Sequence, residues 1–217
     1  MDEDFIGAGH ASIPLSGSPS TGYPWVRKTV KSAGSPTISV VTNSAAGIVP
    51  LALDAIAEKQ EATLYANDQK NRDVTKNLTF ETRAAFSVLP GAQVEIVFGL
   101  QSIWIDGPDN AAQYIRFQAL ASGLVNMQTK DGTNTLPAPS GVTLAAGAYH
   151  VFRIDAADVS NVRFFIDGTE VSSTGQFGFA ATGANAILQP YCSVYKAAGT
   201  GVGTLSVDVI QASADRV

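Results

Sequence analysis

Cysteine is almost absent from this sequence, since Cys192 is the single one among 217 residues. An intrachain disulfide is therefore excluded. The apolar run that surrounds Cys192, ILQPYCSVY, predicts a buried and unreactive thiol. A chain of this length can bury roughly 70% of its unfolded surface in one core, so disulfides and bound metals are not needed for folding.

Charge is also sparse. Charged residues make up 15% of the chain, well below the usual quarter, and the net charge is −5. Apart from Arg27, Lys28 and Lys31, no basic residues cluster in the sequence. This distribution argues against nucleic-acid binding through a basic face. It also predicts a surface that is easily buried against another protein.

Long apolar runs are missing, because none approaches the ~20 residues that a membrane span requires. The first ten residues, MDEDFIGAGH, are acidic and lack the basic and apolar regions of a secretory signal. We therefore expect synthesis in a cytoplasm and no membrane partner.

No catalytic constellation is recognisable in the sequence. Glycoside hydrolysis needs two carboxylates that flank the scissile bond. Glu81 and Glu95 are single acids on separate predicted strands, and we interpret both as solvated or salt-bridged. His10 and His150 are distant in sequence, and His150 is expected to be packed. The sequence therefore predicts no catalytic residue, and we expect the protein not to be an enzyme.

Metal and cofactor motifs are missing as well. Two oxygen-rich runs, DGPDN at 106–110 and NDQKNRD at 67–73, lack the spacing of an EF-hand. Their composition favours a β-turn and an exposed polar loop over a calcium site. We expect no cofactor and no metal.

Strand patterns dominate what is present, most clearly over 149–173, YHVFRIDAADVSNVRFFIDGTEVSS. Asp167-Gly168 lies between two period-2 runs and predicts a type I′ hairpin turn, because both residues must accept positive φ. The alternation predicts that Phe152, Ile154 and Phe164 do not share one buried face. The predicted core residues are Ile154, Phe164 and Ile166, and the predicted outward ones are Arg153 and Arg163.

Short strands separated by turn signals indicate a sandwich or barrel. Segment 51–59 is a weak helix candidate without an N-cap. Segments 67–76 and 134–148 are predicted loops, the latter with a short strand at 142–144. The predicted strands are 25–30, 37–42, 48–53, 62–66, 78–88, 94–105, 114–119, 124–130, 149–154, 162–166, 170–173, 186–196 and 203–212.

A family resemblance rests on motifs that follow one another in order. They are LTFETRAAFSV, VEIVFGL, YIRFQ, LAAGAYHVFRID, FFIDGTEV and TLSVDVIQASADR. Together they resemble the concanavalin A-like lectin/glucanase superfamily, in the laminin-G-like form found in structural proteins of tailed bacteriophages. The resemblance spans about residues 5–213 and implies an all-β, antiparallel jelly-roll sandwich. We expect one domain, with an N-terminal arm at 1–24 and the sandwich at 25–217.

The resemblance and the missing catalytic groups favour a virion structural protein on the capsid surface. The predicted function is a capsid decoration or cement subunit that binds the major capsid protein as a homo-oligomer, with a trimer favoured. Deleting residues 2–20 of the arm is expected to leave the sandwich folded but to weaken attachment. The candidate contact residues in the arm are Phe5, Ile6, His10, Ile13 and Leu15.

The alternative is a lectin-like, carbohydrate-binding module of a tail fibre or adhesin. Lectin sites pair an aromatic face with carboxylates, and Trp104 beside Asp106 offers such a pair. With Asp109 and Asn110, these residues form the candidate glycan site. Core packing of Trp104 within a strand is the competing interpretation. A glycosidase is the third function, which the missing acid pair disfavours.

Overall fold

The computed structural model describes residues 2–3 (backbone only), 13–15, 25–41 and 47–215. It is an all-β sandwich with about 51% strand and 5% helix. The predicted fold class is confirmed, and its cause is the period-2 alternation that places successive side chains on opposite faces.

Among the described residues, the first sheet contains eight antiparallel strands. Its order is β14-β13-β12-β7-β16-β4-β3, and β1 also pairs with β16. Its strands are β1 (Asp2–Glu3), β3 (Thr37–Ile38), β4 (Val49–Ala52), β7 (Leu78–Val88), β12 (Tyr149–Ala156), β13 (Arg163–Ile166), β14 (Thr169–Glu170) and β16 (Thr204–Ser213).

In the part of the chain that the structure describes, the second sheet also contains eight strands. Its order is β11-β10-β9-β8-β15-β5-β2, and β6 pairs with one end of β15. Its strands are β2 (Val26–Lys31), β5 (Gln60–Tyr65), β6 (Arg72–Asp73), β8 (Val94–Gln101), β9 (Tyr114–Ala119), β10 (Leu124–Lys130), β11 (Thr135–Thr143) and β15 (Ile187–Lys196).

The core between the sheets is centred on phenylalanine rings. Phe152 of the first sheet lies 4.7 Å from Phe98 and 5.3 Å from Phe117 of the second, measured between ring centroids. Phe164 extends this cluster, with its centroid 5.2 Å from that of Phe117 and an interplanar angle of 86°. Edge-to-face aromatic pairs of this kind stabilise a core beyond their buried area.

The predicted hairpin is confirmed. Asp167 and Gly168 have φ values of 50° and 78°, and Ile166 pairs directly with Thr169 across the two-residue turn. Ile154, Phe164 and Ile166 are buried, while Arg153 and Arg163 lie on the outer face over the ring of Phe165.

The expectation that Phe152, Ile154 and Phe164 do not share a face is wrong. Phe152 pairs with Ile166 and Ile154 pairs with Phe164, and all four side chains are buried in one core. Residues two apart on a strand point to the same face, and residues directly opposite on the neighbouring strand point there too.

Some predicted boundaries need correction. Segment 134–148 is largely strand β11, which pairs through its backbone and carries no alternation to reveal it. Segment 67–76 contains β6 and the buried Val74, so it is not wholly an exposed loop. Strand β8 ends at Gln101, short of the predicted residue 105. The helix candidate 51–59 begins instead as the end of β4.

Candidate functional site

The outer face of the second sheet is polar yet largely buried. Strand register places Glu61 and Glu95 on either side of Tyr195, in one row across three strands. The next rows bring Thr63 beside Ser193 and Tyr65 beside Tyr191. The intervening residues of the same strands face the core, so alternation alone explains why these polar groups share a face.

A segment that we name the strap, residues 102–112, lies over this polar face. Trp104 packs against the apolar cluster of Val26, Tyr65, Val97 and Tyr191. Its indole nitrogen donates a hydrogen bond to Glu61 Oε1 at 3.0 Å.

Three basic side chains from outside the strap hold it in place. Lys59 Nζ forms a salt bridge with Asp106 Oδ2 at 2.6 Å, and Lys28 Nζ lies 3.1 Å from the ring centroid of Trp104. Further along the strap, the Pro108 carbonyl accepts a hydrogen bond from Arg116 Nη1 at 3.0 Å. The strap therefore closes the centre of the polar face to solvent.

Glu61 lies beneath the strap, with 0% of its surface exposed. Its Oε1 accepts hydrogen bonds from Thr63 Oγ1 at 2.5 Å and Tyr191 OH at 3.2 Å, in addition to the indole of Trp104. Its Oε2 has no partner among the described residues. Burial raises the pKa of the Glu61 carboxyl, because desolvation disfavours its charged form.

Glu95 occupies the part of the polar face that the strap leaves open. It is half-buried at a cavity of about 320 Å³, and its Oε2 accepts a hydrogen bond from Gln118 Nε2 at 2.8 Å. Desolvation, and then the negative charge of Asp109, raise its pKa to about 7. The lining residues are Gln93, Val94, Glu95, Asp109, Leu120, Ala121, Tyr195 and Ala197.

Arg116 positions the cavity wall. Its side chain is 1% exposed and forms a salt bridge with Asp109, whose own side chain is 60% exposed. The remaining guanidinium donors bond the Pro108 carbonyl and Gln128 Oε1, and the guanidinium carbon lies 3.8 Å from the Tyr114 ring centroid. The buried guanidinium of Arg116 is fixed by these hydrogen bonds. It therefore holds the carboxylate of Asp109 in place at the cavity wall.

The structure brings the four predicted glycan-site residues into the strap, but not into one open site. Trp104 lies outside the strands, is partly buried against the apolar cluster, and has Lys28 over its ring. Asp106 pairs with Lys59, and Asn110 Nδ2 donates to the Asp106 carbonyl at 2.8 Å. Asp109 is the member of the set that lines the cavity. A glycan contact by these residues stays a prediction.

The predicted contact residues of the arm fall in different environments. Phe5, Ile6 and His10 lie outside the described residues. Leu15 is 55% exposed, as a contact residue requires. Ile13 is 2% exposed and belongs to the hydrophobic core, so its side chain is not available to a partner.

Sequence reasoning misjudged the acids of the polar face. Glu95 is neither fully solvated nor salt-bridged, and Glu61 was not singled out at all. The signal for Glu61 was the segment QEATLY, in which Glu61, Thr63 and Tyr65 alternate with apolar residues. That pattern predicts a shared face, but not that a distant strap covers it.

Cys192 and His150 were also given expected environments by the sequence. Cys192 is buried, and burial raises the pKa of its thiol, as predicted for an unreactive cysteine. His150 is half-buried, and its Nδ1 lies 2.6 Å from Asp167 Oδ2. Within the described ranges, no three His, Cys, Asp or Glu side chains group as a metal site would require, and no helix is long and apolar enough to span a membrane.

A second cavity, of about 450 Å³, lies elsewhere on the molecule, between the β10–β11 turn and the segment around Phe179. Its lining is mainly apolar. Asp131, its one carboxylate, accepts hydrogen bonds from the backbone nitrogens of Thr133 and Asn134. Since the carboxylate is used by its own turn, this cavity offers fewer free polar groups than the one at Glu95.

Comparison with known proteins gives fold similarity without a family assignment. No family model matches the chain, and no curated protein matches it. Solved structures do match. The pseudo β-1,3-glucanase of Mycobacterium tuberculosis, an immunostimulatory antigen, aligns over 100% of this chain and 98% of its own, with 16% identity and a TM-score of 0.65.

Two further structures have the same architecture. The carbohydrate recognition domain of Emp47p covers 96% of this chain and 97% of its own, with 12% identity and a TM-score of 0.58. A family 7 alginate lyase covers 84% of this chain and 85% of its own, with 14% identity and a TM-score of 0.57. The chain is therefore a concanavalin A-like jelly roll, a conclusion that concerns the fold alone.

The comparisons bear unequally on the predicted functions. Nothing in them supports a bacteriophage origin or capsid decoration. The capsid partner, the trimeric state and the virion location stay predictions that no comparison tests. The similar structures include a carbohydrate recognition domain and a pseudo β-1,3-glucanase, but at 12% and 16% identity they concern the fold, so the lectin-like alternative also stays a prediction.

Proposed function

We propose that this chain is a saccharide-binding module and that its site is the cavity at Glu95. The observation that carries the proposal is a half-buried carboxyl at the wall of a cavity of about 320 Å³, on the polar face of a jelly-roll sheet. A cavity of this size lies within the range of small-ligand sites, about 300–1,000 Å³.

The lining of the cavity has the chemistry that a sugar needs. The carboxyls of Glu95 and Asp109 and the amide of Gln93 provide hydrogen-bonding groups for hydroxyls. Tyr195 offers an aromatic ring, and Leu120, which is 41% exposed, offers apolar surface for the carbon face of a pyranose. Few polar groups beside apolar surface are typical of specific small-ligand sites.

We further propose that binding is not followed by cleavage. Hydrolysis requires two carboxylates on opposite sides of the bond. Here Asp109 is paired with Arg116, and Glu61 is covered by the strap. Incubating the protein with each saccharide that it binds, followed by product separation, tests this point, and a released shorter saccharide would contradict it.

The experiment for binding starts with an immobilised glycan array and continues with calorimetry on the saccharides retained. We expect Glu95→Ala and Tyr195→Ala to weaken binding about ten-fold or more, which is about 1.4 kcal/mol each. Matched controls on the first sheet, Glu170→Ala and Tyr149→Ala, should bind like the parent protein.

Each variant must first show the far-UV spectrum of the parent protein. If no saccharide is retained on the array, the proposal is wrong. It is also wrong if the Glu95 and Tyr195 variants bind as tightly as the controls, because the site would then lie elsewhere.

A further inference from the structure

The charged side chains that line the cavity are all carboxylates. Glu95 of β8 and Asp109 of the strap both line it, and the negative charge of Asp109 acts directly on Glu95. None of the described lining residues is a lysine, an arginine or a histidine. Arg116 pairs with Asp109 but is not one of these lining residues, so an anionic ligand would meet two carboxylates and no cation in the described lining.

Two cations contact Asp109 from within the protein. Arg116 uses its guanidinium on Asp109, Gln128 and the Pro108 carbonyl, and its side chain is 1% exposed. Lys130 Nζ donates to the Asp109 carbonyl at 3.2 Å. The buried Arg116 is therefore withheld from a ligand carboxylate, and Lys130 is not among the described residues that line the cavity.

Glu95 itself is poorly satisfied as an anion. The hydrogen bond that it accepts comes from the neutral amide of Gln118. Its environment disfavours the charged form, since desolvation and Asp109 raise its pKa by more than Arg116 and the Gln118 hydrogen bond lower it. A cation in the cavity would remove this penalty and would form a charge-assisted hydrogen bond, which is about twice as strong as a neutral one.

A third carboxyl, outside the lining, adds to the negative charge when it is ionised. Glu61 lies in the same row of the sheet, with Tyr195 between it and Glu95. It is fully buried, and its Oε2 has no hydrogen-bond partner among the described residues. When Glu61 is ionised, its charge reinforces the repulsion of anions from the cavity, as its effect on Glu95 indicates.

We infer that the cavity selects saccharides that carry a protonated amine, that is amino sugars, and rejects uronic acids. The inference rests on the proposed function and specifies its ligand class. The ammonium group binds between Glu95 and Asp109, and the apolar face of the ring packs on Tyr195 and Leu120.

Three trisaccharides of the same length test the inference by calorimetry on the whole chain. They are the glucosamine trimer, its fully N-acetylated form and a mannuronate trimer. We expect the glucosamine trimer to bind about ten-fold more tightly than the N-acetylated one, and the mannuronate trimer to show no binding at the same concentrations. About 0.5 M sodium chloride should weaken binding of the glucosamine trimer and leave that of the N-acetylated trimer unchanged, because salt screens charge.

Glu95→Gln keeps the shape of the side chain and removes its charge. We expect this variant to lose most of the preference for the glucosamine trimer while still binding the N-acetylated form. Glu170→Gln, which removes an exposed charge on the first sheet, should keep the preference in full. The salt series needs no variant, so it decides the question even if Glu95→Gln fails to fold.

The outcomes separate the two proposals. Equal affinity for the amine and its N-acetylated form, or measurable binding of the mannuronate trimer, overturns the amino-sugar inference and leaves saccharide binding intact. A chain that binds none of the three trisaccharides and no glycan on the array overturns the proposed function itself.

Discussion

The pKa of Glu95 depends on how far the folded protein removes its carboxyl from water. In an unfolded chain its carboxyl has an ordinary pKa near 4.5, whereas desolvation and Asp109 raise the folded-state pKa to about 7. The folded protein therefore holds this proton more tightly than the unfolded chain does. By linkage, the stabilising contribution of Glu95 is complete below about pH 4.5 and is lost as the pH rises to about 7.

We predict that Glu95→Gln removes this pH dependence. At about 1.4 kcal/mol per pH unit, the parent protein should lose up to about 3 kcal/mol of this contribution between pH 4.5 and pH 8. Urea unfolding at pH 5 and pH 8 measures the loss, which should be much smaller in Glu95→Gln. Glu170→Gln serves as the control and should follow the parent protein. An equal loss in Glu95→Gln would place the titrating group elsewhere.

At the scale of the element, the turn between β13 and β14 allows a test of the backbone conformation of Gly168. Gly168 has a φ of 78°, and a Cβ at this position would meet no atom within 4 Å. A side chain here therefore costs only backbone strain, about 1–2 kcal/mol for Gly168→Val. Thermal unfolding measures the cost, and Thr169→Val on the adjacent strand is the control. A change near zero would mean that the turn relaxes without penalty.

The edge strand β11 is the second element with a testable feature. Pro137 and Pro139 pair opposite Gln128 and Asn126, and the ladder continues past both. Both prolines therefore lie in non-hydrogen-bonded pairs, in which a backbone N–H would point away from β10. Because proline has no N–H, two donors are missing from the outer edge of the sheet. Natural sheets use proline in this way to prevent edge-to-edge association.

We predict that the double substitution Pro137→Val and Pro139→Val promotes self-association, because two backbone N–H groups become available on the edge. Analytical ultracentrifugation over a concentration series should show larger species than in the parent protein. Val142→Thr on the same strand serves as the control for a change in side chain alone. A double variant that sediments like the parent protein would show that the prolines do not protect this edge.

At the scale of the whole molecule, the N-terminal segment belongs partly to the sandwich. Asp2 and Glu3 pair with β16, the Arg27 backbone nitrogen donates to the Pro14 carbonyl at 2.8 Å, and Ile13 is in the core. Deleting residues 2–20 is therefore expected to lower stability, instead of removing only a surface contact as the sequence suggested.

A point substitution tests this integration without a deletion. Ile13→Ala should destabilise the protein by about 2–4 kcal/mol, because it leaves a cavity in the core. Leu15→Ala, at a position that is 55% exposed, should change stability by less than about 0.5 kcal/mol. Chemical denaturation of both variants gives the comparison, and similar values for the two would contradict the core assignment of Ile13.

The sequence by itself determined the elements whose signals are local. Strands such as β7, β9 and β10 were predicted at their observed bounds, since alternation is read within a few residues. The Asp167-Gly168 turn followed from the φ values that a two-residue hairpin requires. The jelly-roll class followed from these strands and from the motifs that resemble its superfamily.

Tertiary structure alone decided which polar residues became buried and what lies over them. Trp104 reaches Glu61 from 43 positions along the chain, and Ile13 enters a core formed by strands that follow it. Alternation specifies which residues share a face, but a face becomes a site only when another segment partly covers it. The burial that raises the pKa of Glu95 is therefore a property of packing, and no local pattern in the sequence encodes it.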